Sequence, residues 1–321
     1  MATPVLEGAL ESGLFERVSI VVRAHLAPLL AGGPCEPCVE PLAKGADESA
    51  LYRRLAPEGV LLLTNSLGAA WRAFRARVPV RCGATLGGRG LFLTHRVVPP
   101  TRGGRRVPIP TAHLLADVAG LVGLRGLDLH PRLHVGAATR RFWRARLESR
   151  GLAPGARFAL CTPSAAFGAA KMWPARHHAR ALELLHERHG LSAVVTGGPG
   201  EEPVMRAVVQ ACRTPVIDLS DEPRDLEGLK ALVAESALLV SSDSGPRWFA
   251  AAFDVPCVTV MGPNFPELTA SSLERCRVVR VAGLECAPCL ERVCPLGHHR
   301  CMEELDPLRV AAAAGELLAR A

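Results

Sequence analysis

A short apolar segment that ends in small polar residues limits the fold of this chain more than any other stretch. Leu238 to Val240 has the pattern of a buried strand, and Ser242-Asp243-Ser244-Gly245-Pro246 follows it with residue types that cap and start a helix. A second apolar strand, Pro256 to Met261, ends in the turn Gly262-Pro263-Asn264. Buried strands that end in this way are typical of a parallel sheet, whose carboxyl edge often binds phosphate groups. The pattern predicts an anion site at one sheet edge, although any α/β protein carries such turns.

Strands and helices alternate along both halves of the 321-residue chain. Because this alternation builds doubly wound parallel sheets, we predict an α/β fold with one sheet in each half. The length suits two domains, which we place at residues 1–150 and 151–321. No apolar run is as long as a membrane span, and the N-terminus lacks the pattern of a secretory signal, so we predict a cytoplasmic protein.

Charge is unevenly distributed. Residues 1–150 hold 21 Lys and Arg against 11 Asp and Glu, whereas residues 151–321 hold 17 against 20. A basic half indicates an anionic partner, such as nucleic acid or a phosphorylated lipid surface, unless it is only a solvated surface in an Arg-rich chain. Aromatic residues make up only 4% of the chain, which is few for stacking on single-stranded nucleic acid. We therefore expect a lipid or a small acidic substrate, and no nucleic acid.

Four of the eleven cysteines, Cys286, Cys289, Cys294 and Cys301, lie in one short segment. Their spacing, with two histidines nearby, fits a tetrahedral structural zinc site. Four reduced thiols packed in a loop explain the same pattern without a metal. An odd number of cysteines in a chain without a secretory signal argues against a disulfide framework.

Several motifs resemble, in order and spacing, those of the family 9 glycosyltransferases, the bacterial ADP-heptose–lipopolysaccharide heptosyltransferases. In the second half these are Lys171-Met172-Trp173-Pro174, Gly197-Gly198-Pro199-Gly200-Glu201, Asp243-Ser244-Gly245-Pro246 and Gly262-Pro263-Asn264. The cysteine segment is most similar to the heptosyltransferase II branch. In the first half, Asn65-Ser66 and Arg81-Cys82-Gly83 match weaker positions of the family.

The resemblance implies a GT-B architecture, in which two Rossmann-like doubly wound domains face each other across a cleft and the final helix crosses back to the first domain. It implies an inverting transfer of heptose from ADP-heptose to the lipopolysaccharide inner core, with a lipid A–Kdo acceptor at the inner face of the inner membrane. It also implies that catalysis requires no cofactor or metal, which agrees with the absence of an Asp-x-Asp motif.

The resemblance also assigns residues. Lys171 would place a point charge on the leaving diphosphate, and Asp243 would cap a helix or hold the ribose or sugar, so both are candidate catalytic residues. Glu201 would contact the nucleotide, or would be an exposed carboxylate at a helix start. The expected donor-binding residues are Thr162, Ser164, Lys171, Gly197, Gly198, Glu201, Asp243, Ser244, Gly245, Pro246, Gly262, Pro263 and Asn264. The expected acceptor-side residues are Asn65, Ser66 and Arg81.

Two features depart from the family pattern. Its members begin with a strand and a Gly-Asp loop, whose Asp is the expected catalytic base, upstream of the helix that here starts near Thr3. They also usually carry His where this chain has Trp248. We therefore expect the chain as given to be a poor catalyst, and we keep a non-catalytic nucleotide-sugar or lipid-binding relative as the alternative. A zinc-bearing nucleic-acid binder is a third interpretation, which rests only on the cysteines and the basic half.

Overall fold

The computed structural model of the chain describes residues 1–165, 167–222 and 225–320. It consists of two compact units. The first comprises Met1–Pro131 with Glu267–Ser271, and the second comprises Arg132–Pro266 with Ser272–Ala321.

The first unit contains short parallel strands covered by helices. Its helices and strands are α1 (Thr3–Glu11), β1 (Ile20–Arg23), β2 (Val39–Leu42), α2 (Glu48–Leu55), β3 (Gly59–Leu62), α3 (Leu67–Arg75), β4 (Val80–Ala84), β5 (His95–Val97), β6 (Thr101–Arg102), β7 (Arg105–Arg106) and α4 (Thr111–Gly120). Three 3-10 helices, Ala24–Leu30, Glu36–Cys38 and Leu86–Phe92, connect them.

The parallel sheet predicted for the first half is divided in two. Strands β1 and β2 pair with each other, and β3, β4 and β5 form a separate parallel sheet. Side chains connect the two sheets, since Val21 of β1 and Val60 of β3 pack against one buried cluster of Tyr52, Ala73 and Val78. Packing of apolar side chains therefore takes the place of a strand ladder between β1 and β3.

The second unit contains a six-stranded parallel sheet in the order β10-β9-β8-β11-β12-β13. Its elements are α5 (Ala137–Ser149), β8 (Phe158–Thr162), α6 (Ala175–His189), β9 (Ser192–Val195), α7 (Glu202–Ala211), β10 (Val216–Asp218), α8 (Leu226–Glu235), β11 (Leu238–Ser242), α9 (Pro246–Ala252), β12 (Cys257–Val260), β13 (Cys276–Val279), α10 (Arg300–Glu303) and α11 (Pro307–Leu318). From β8 the chain winds outward through β9 and β10, and then returns to the other side of β8 with β11. The order of the strands thus reverses between β8 and β11, which is the point where open α/β sheets bind ligands.

The boundary between the units lies at Pro131 and Arg132 rather than at the predicted residue 150. The cause is helix α5, which packs on α8 of the second unit. Trp143 of α5 is buried, and Thr139 donates a hydrogen bond to Glu227 at 3.0 Å. Helix α5 therefore belongs to the second unit, although it precedes the first strand of that unit.

The main core of the second unit lies between the sheet and helices α6, α7 and α11. Helix α11 packs on α6, β12 and β13, all within this unit. Its predicted crossing to the first domain stays a prediction.

Among the described residues, no helix combines the length and the apolar character that crossing a bilayer requires.

Candidate functional site

The carboxyl ends of β8 and β11 are neighbours at the point where the strand order reverses. Thr162 is the last residue of β8, and Ser164 follows in the next turn. Asp243 and Ser244 follow the end of β11 in the same way. Motifs that are far apart in the sequence therefore meet at one edge of the sheet, as the strand pattern predicts.

Lys171 lies at the centre of this edge, at the end of the 3-10 helix Ala169–Lys171. Its Nζ is 2.6 Å from Asp243 Oδ2, and the two side chains are only 12% and 7% exposed. Nζ also donates to the main-chain oxygen of Asp243 at 3.1 Å. Asn264, from the turn after β12, donates its Nδ2 to the same Oδ2 at 2.7 Å. The Asp243 carboxylate is thus held by a cation and an amide from two other loops.

The hydrogen bonds of Asp243 decide between its two predicted roles. The N-cap residue of α9 is Gly245, and in the described part of the chain no side-chain hydrogen bond caps that helix. The interpretation of Asp243 as a helix cap is therefore wrong, and its role toward a ribose or sugar stays a prediction.

Two hydroxyl groups at the same edge are buried without a hydrogen-bond partner among the described residues. They are Thr162 Oγ1 and Ser164 Oγ, on residues that are 3% and 7% exposed. Nearby, Ser242 Oγ donates to the Pro163 oxygen at 3.1 Å and ties the β8 turn to β11. A buried hydroxyl without a partner costs about 1–3 kcal/mol, and native proteins contain few of them. Two at the point of strand reversal indicate that a polar ligand binds there.

The glycines of the site allow close packing. A Cβ atom on Gly197 would lie 2.9 Å from Glu201 Oε2, and one on Gly262 would lie 2.7 Å from Met302 Sδ. Glu201 accepts a hydrogen bond from the Gly198 N–H at 2.5 Å and so closes its own turn. The turn therefore already uses this carboxylate, and a contact with a nucleotide stays a prediction.

Phe167 and Arg292, which the sequence analysis missed, lie close together at the same sheet edge. Lys171 Nζ lies 4.8 Å from the ring centroid of Phe167, and Arg292 Cζ lies 5.4 Å from the same ring. The Phe167 ring thus makes cation–π contacts with both Lys171 and Arg292. Arg292 belongs to the cysteine segment, and no local pattern shows that this segment returns to the β8 loop.

The predicted acceptor-side residues lie at the ends of β3 and β4 in the first unit. Ser66 is the N-cap of α3 and accepts a hydrogen bond from the Ala69 N–H at 3.3 Å. Arg81 donates to the Phe92 oxygen at 2.7 Å and also to the Val78 oxygen. These bonds give Ser66 and Arg81 structural roles. Asn65 is exposed, and its role toward an acceptor stays a prediction.

Arg89, which the sequence analysis missed, organises this edge of the first unit. It is 1% exposed, and burial lowers the pKa of its guanidinium. It donates to the oxygens of Ala84 at 2.6 Å and Thr64, and to Asn65 Oδ1 at 3.2 Å. The sequence Gly87-Gly88-Arg89-Gly90 could have indicated this role, because glycine-rich loops let a side chain approach the backbone closely.

Comparison with known families agrees with these motifs. Residues 50–300 match the sequence profile of glycosyltransferase family 9 (heptosyltransferase). The chain belongs to glycosyltransferase family 9. The resemblance inferred from the motifs is therefore confirmed.

Curated members of family 9 are similar over part of their length. Lipooligosaccharide heptosyltransferase 2 of Campylobacter jejuni is 29% identical over 159 residues, which cover 49% of each chain. Lipopolysaccharide heptosyltransferase 2 of Escherichia coli K12 is 29% identical over 162 residues, which cover 49% of this chain and 45% of that protein. The chain thus spans about half the length of the curated relatives it matches.

Solved structures extend the likeness to the whole fold. ADP-heptose lipopolysaccharide heptosyltransferase II of E. coli superposes with a TM-score of 0.77 at 22% identity, over 99% of this chain and 94% of that one. A family 9 glycosyltransferase of Veillonella parvula superposes with a TM-score of 0.81 at 19% identity, over 100% and 93%. Likeness at this level of identity shows the fold, and the predicted α/β GT-B fold is confirmed.

In this family 9 chain the four clustered cysteines line one small apolar cavity together with His298 and His299. All four are free thiols. Burial, followed by the charges of the other three thiols, raises the pKa of Cys301 to about 11. Within the described residues, however, no three His, Cys, Asp or Glu side chains are placed to hold a metal ion. The structural zinc site therefore stays a prediction for metal analysis of the purified protein.

The cysteine segment instead contacts both loops that carry the polar site. His299 Nε2 is 2.9 Å from the Ala170 oxygen, and the Ala170 N–H donates to the Arg292 oxygen at 3.0 Å. The Leu290 N–H donates to the Pro263 oxygen at 2.8 Å. The segment thus supports the loop of Lys171 on one side and the loop of Asn264 on the other.

Trp248 occupies the place where the family pattern usually has His. It is half-buried, and the guanidinium of Arg247 lies 4.5 Å from its ring centroid. At this position the chain therefore offers an aromatic ring stacked on a cation.

Proposed function

We propose that this chain is an inverting glycosyltransferase that transfers heptose from ADP-heptose to the lipopolysaccharide inner core. Its membership of family 9 supports this reaction class. The observation that carries the proposal is the position of Lys171 where the strand order reverses, paired with Asp243, which also accepts a hydrogen bond from Asn264. A largely buried cation at that edge is suited to bind a diphosphate.

The donor chemistry follows from these groups. The transition state is oxocarbenium-like, and negative charge develops on the departing diphosphate. Lys171 would neutralise that charge in a crevice with little solvent, where an electrostatic contact is stronger than in water. The hydroxyls of Thr162 and Ser164, which have no partner among the described residues, would donate to phosphate oxygens. Asp243, held by Lys171 and Asn264, would accept hydrogen bonds from ribose or sugar hydroxyls.

The acceptor belongs to the same proposal. We place a lipid A–Kdo acceptor at the first unit, near Asn65, with the protein peripheral on the inner face of the inner membrane. The excess of basic residues in 1–150 supports an anionic acceptor. No cofactor and no nucleic acid take part in the proposed reaction.

Calorimetric titration with ADP and with ADP-heptose tests the donor site. Loss of a charged hydrogen bond costs about 1.5–3 kcal/mol, so Lys171→Ala should weaken ADP binding by about ten-fold or more. Lys44→Ala removes an exposed lysine of the first unit and should leave the affinity unchanged. Equal ADP affinity of Lys171→Ala and the unaltered protein, with both folded, would remove Lys171 from the donor site.

A transfer assay with ADP-heptose and heptose-deficient lipopolysaccharide distinguishes an active glycosyltransferase from a non-catalytic relative. Turnover that Lys171→Ala reduces supports the enzyme. Donor binding without turnover would favour a non-catalytic nucleotide-sugar-binding relative, for which Trp248 in place of the usual His is the supporting observation.

A further inference from the structure

Helix α3 of the first unit presents large apolar side chains to solvent. Leu67, Trp71 and Phe74 are 48%, 44% and 43% exposed, and their spacing of four and three residues places them on one face of the helix. On the opposite face, Ala69, Ala70 and Ala73 are buried. A surface helix normally has a polar outer face, and a helix that is apolar on both faces normally has a second partner.

A neighbouring loop extends this face. The 3-10 helix Leu86–Phe92 packs on α3 and brings Leu91, which is 87% exposed, to the same region. The ring of Phe92 lies 5.2 Å from that of Trp71 and 5.5 Å from that of Phe74. We call Leu67, Trp71, Phe74, Leu91 and Phe92 the α3 patch. Contiguous exposed apolar patches of this kind mark interaction surfaces.

The chain segment that carries the α3 patch is basic, and within α3 Arg72 pairs with Glu48 of α2. Residues 59–116 contain nine arginines and neither Asp nor Glu. Arg75 and Arg77, at the C-terminal end of α3, are exposed, and the Arg81 guanidinium lies 5.5 Å from the Phe74 ring centroid. Aromatic side chains within a cationic rim complement the interface of an anionic bilayer, where rings lie at headgroup level and guanidinium groups contact phosphates.

We propose that the α3 patch is the surface by which this protein docks on an anionic lipid bilayer, with Trp71 and Phe74 inserted at headgroup depth and Arg75 and Arg77 on the lipid phosphates. The patch begins one residue after the N-cap Ser66 and two after Asn65, the candidate acceptor-side residue. Docking there would bring the membrane to the acceptor loop. The inference rests on the proposed function only in its choice of a membrane-bound acceptor.

The first test is co-sedimentation of the full chain with vesicles. The protein should bind vesicles that contain phosphatidylglycerol better than vesicles of phosphatidylcholine alone, and added salt should weaken the binding. Trp71→Ser with Phe74→Ser should raise the lipid concentration for half-binding by about ten-fold or more. Arg75→Gln with Arg77→Gln should raise it by about thirty-fold at low salt.

Matched controls come from the second unit. Phe142 is a 62% exposed aromatic residue of α5, and Arg188 is an exposed arginine of α6. Phe142→Ser and Arg188→Gln should bind vesicles as the unaltered protein does. Vesicle binding that none of the patch substitutions changes, or no vesicle binding at all, would overturn the proposal.

A fluorescence measurement does not depend on disruptive variants. Trp71 is 44% exposed, whereas Trp143 and Trp173 are 6% and 2% exposed and Trp248 is half-buried in the second unit, away from the α3 patch in sequence. Brominated lipids should therefore quench tryptophan emission in the bound protein, and Trp71→Phe should remove most of that quenching while vesicle binding remains. Quenching that persists in Trp71→Phe would contradict the proposed insertion.

Two further measurements distinguish membrane docking from dimer formation and from the proposed function. Sedimentation equilibrium that shows a dimer which Trp71→Ser with Phe74→Ser dissociates would assign the patch to a second copy of this chain and overturn membrane docking. Transfer to a soluble, deacylated acceptor needs no bilayer. Loss of vesicle binding in a patch variant with that transfer intact would therefore place the defect in docking. Vesicle binding by an unaltered protein that transfers no heptose would count against the proposed function and leave the docking proposal standing.

Discussion

Buried polar side chains carry most of the functional information at the scale of single residues. Lys171 and Asp243 form a pair that is almost removed from solvent, at the sheet edge where the strand order reverses. Arg89 is more deeply buried than this pair, and it stabilises loops by bonding to backbone oxygens and to Asn65. The groups that a buried polar side chain contacts therefore indicate whether it binds a ligand or stabilises the fold.

His178 is a buried residue of a different kind. It lies on α6, its ring centroid is 4.8 Å from that of Trp173, and its Nδ1 is 3.5 Å from Cys161 Sγ. Burial, with a smaller contribution from the charge of His177, lowers the pKa of His178 from 6.5 to about 3. The folded protein therefore keeps this imidazole neutral at pH values where the unfolded chain protonates it.

The pKa of His178 predicts an acid-sensitive stability. Because the unfolded chain binds a proton below about pH 6.5 that the folded chain does not bind, the free energy of unfolding should fall as the pH decreases toward 3, by up to about 1.4 kcal/mol for each pH unit. Above that range the residue should contribute no pH dependence. Urea unfolding between about pH 7 and pH 5 measures the slope, which His178→Leu should reduce. His113→Leu, at an exposed histidine, should keep the original slope. An unchanged slope in His178→Leu would contradict the assignment.

At the scale of elements, the cysteine segment acts as a support for the two loops of the candidate donor site. His299 contacts the Ala170 oxygen, next to Lys171, and Leu290 bonds the Pro263 oxygen, next to Asn264. A Cβ atom on Gly168 would lie only 2.4 Å from the Arg292 oxygen, which shows how closely the segment approaches the β8 loop.

We predict that His299→Ala weakens ADP binding through the loop of Lys171, whose Ala170 oxygen His299 contacts. Loss of one neutral hydrogen bond costs about 0.5–1.5 kcal/mol, so the dissociation constant for ADP should rise by about two- to ten-fold, less than for Lys171→Ala. The exposed neighbour provides the control, since His298→Ala should leave the dissociation constant unchanged. Equal effects of the two substitutions would show that the segment does not position Lys171.

At the scale of the whole molecule, the two units differ in how their strands are protected. In the second unit, β8 and β11 each have a parallel neighbour on both sides. Among the described strands, β1 of the first unit pairs only with β2, and β3 pairs only with β4. Small sheets with free edges open more readily than central strands of a large sheet.

Hydrogen exchange measured by mass spectrometry should report this difference. Amides of β8 and β11 should exchange most slowly, and amides of β1 and β3 should exchange faster after correction for intrinsic rates. Because both sets lie in one chain under one condition, each serves as the control for the other. Protection of β1 equal to that of β11 would show that the divided sheet is as stable as the continuous one.

The amino-acid pattern by itself determined the alternation of buried strands with helices, and therefore a parallel α/β fold. Local physics explains this success, because apolar runs, cap residues and small-residue turns act over a few neighbours. The same local signals located Thr162, Lys171, Asp243 and Asn264 at strand ends or in the loops that follow them. They did not predict β2, because Pro41 disfavours a strand. The structure tolerates this proline because β2 is an edge strand.

Only the tertiary structure decided which of these residues meet. The 2.6 Å contact of Lys171 with Asp243 depends on β8 and β11 being neighbours, and no local pattern contains that strand order. Contacts between distant segments likewise place Arg292 beside Phe167 and bury Arg89. They also make α5 part of the second unit. Such contacts form because whole faces of elements must be buried together, a condition that the complete chain satisfies and no single stretch of sequence records.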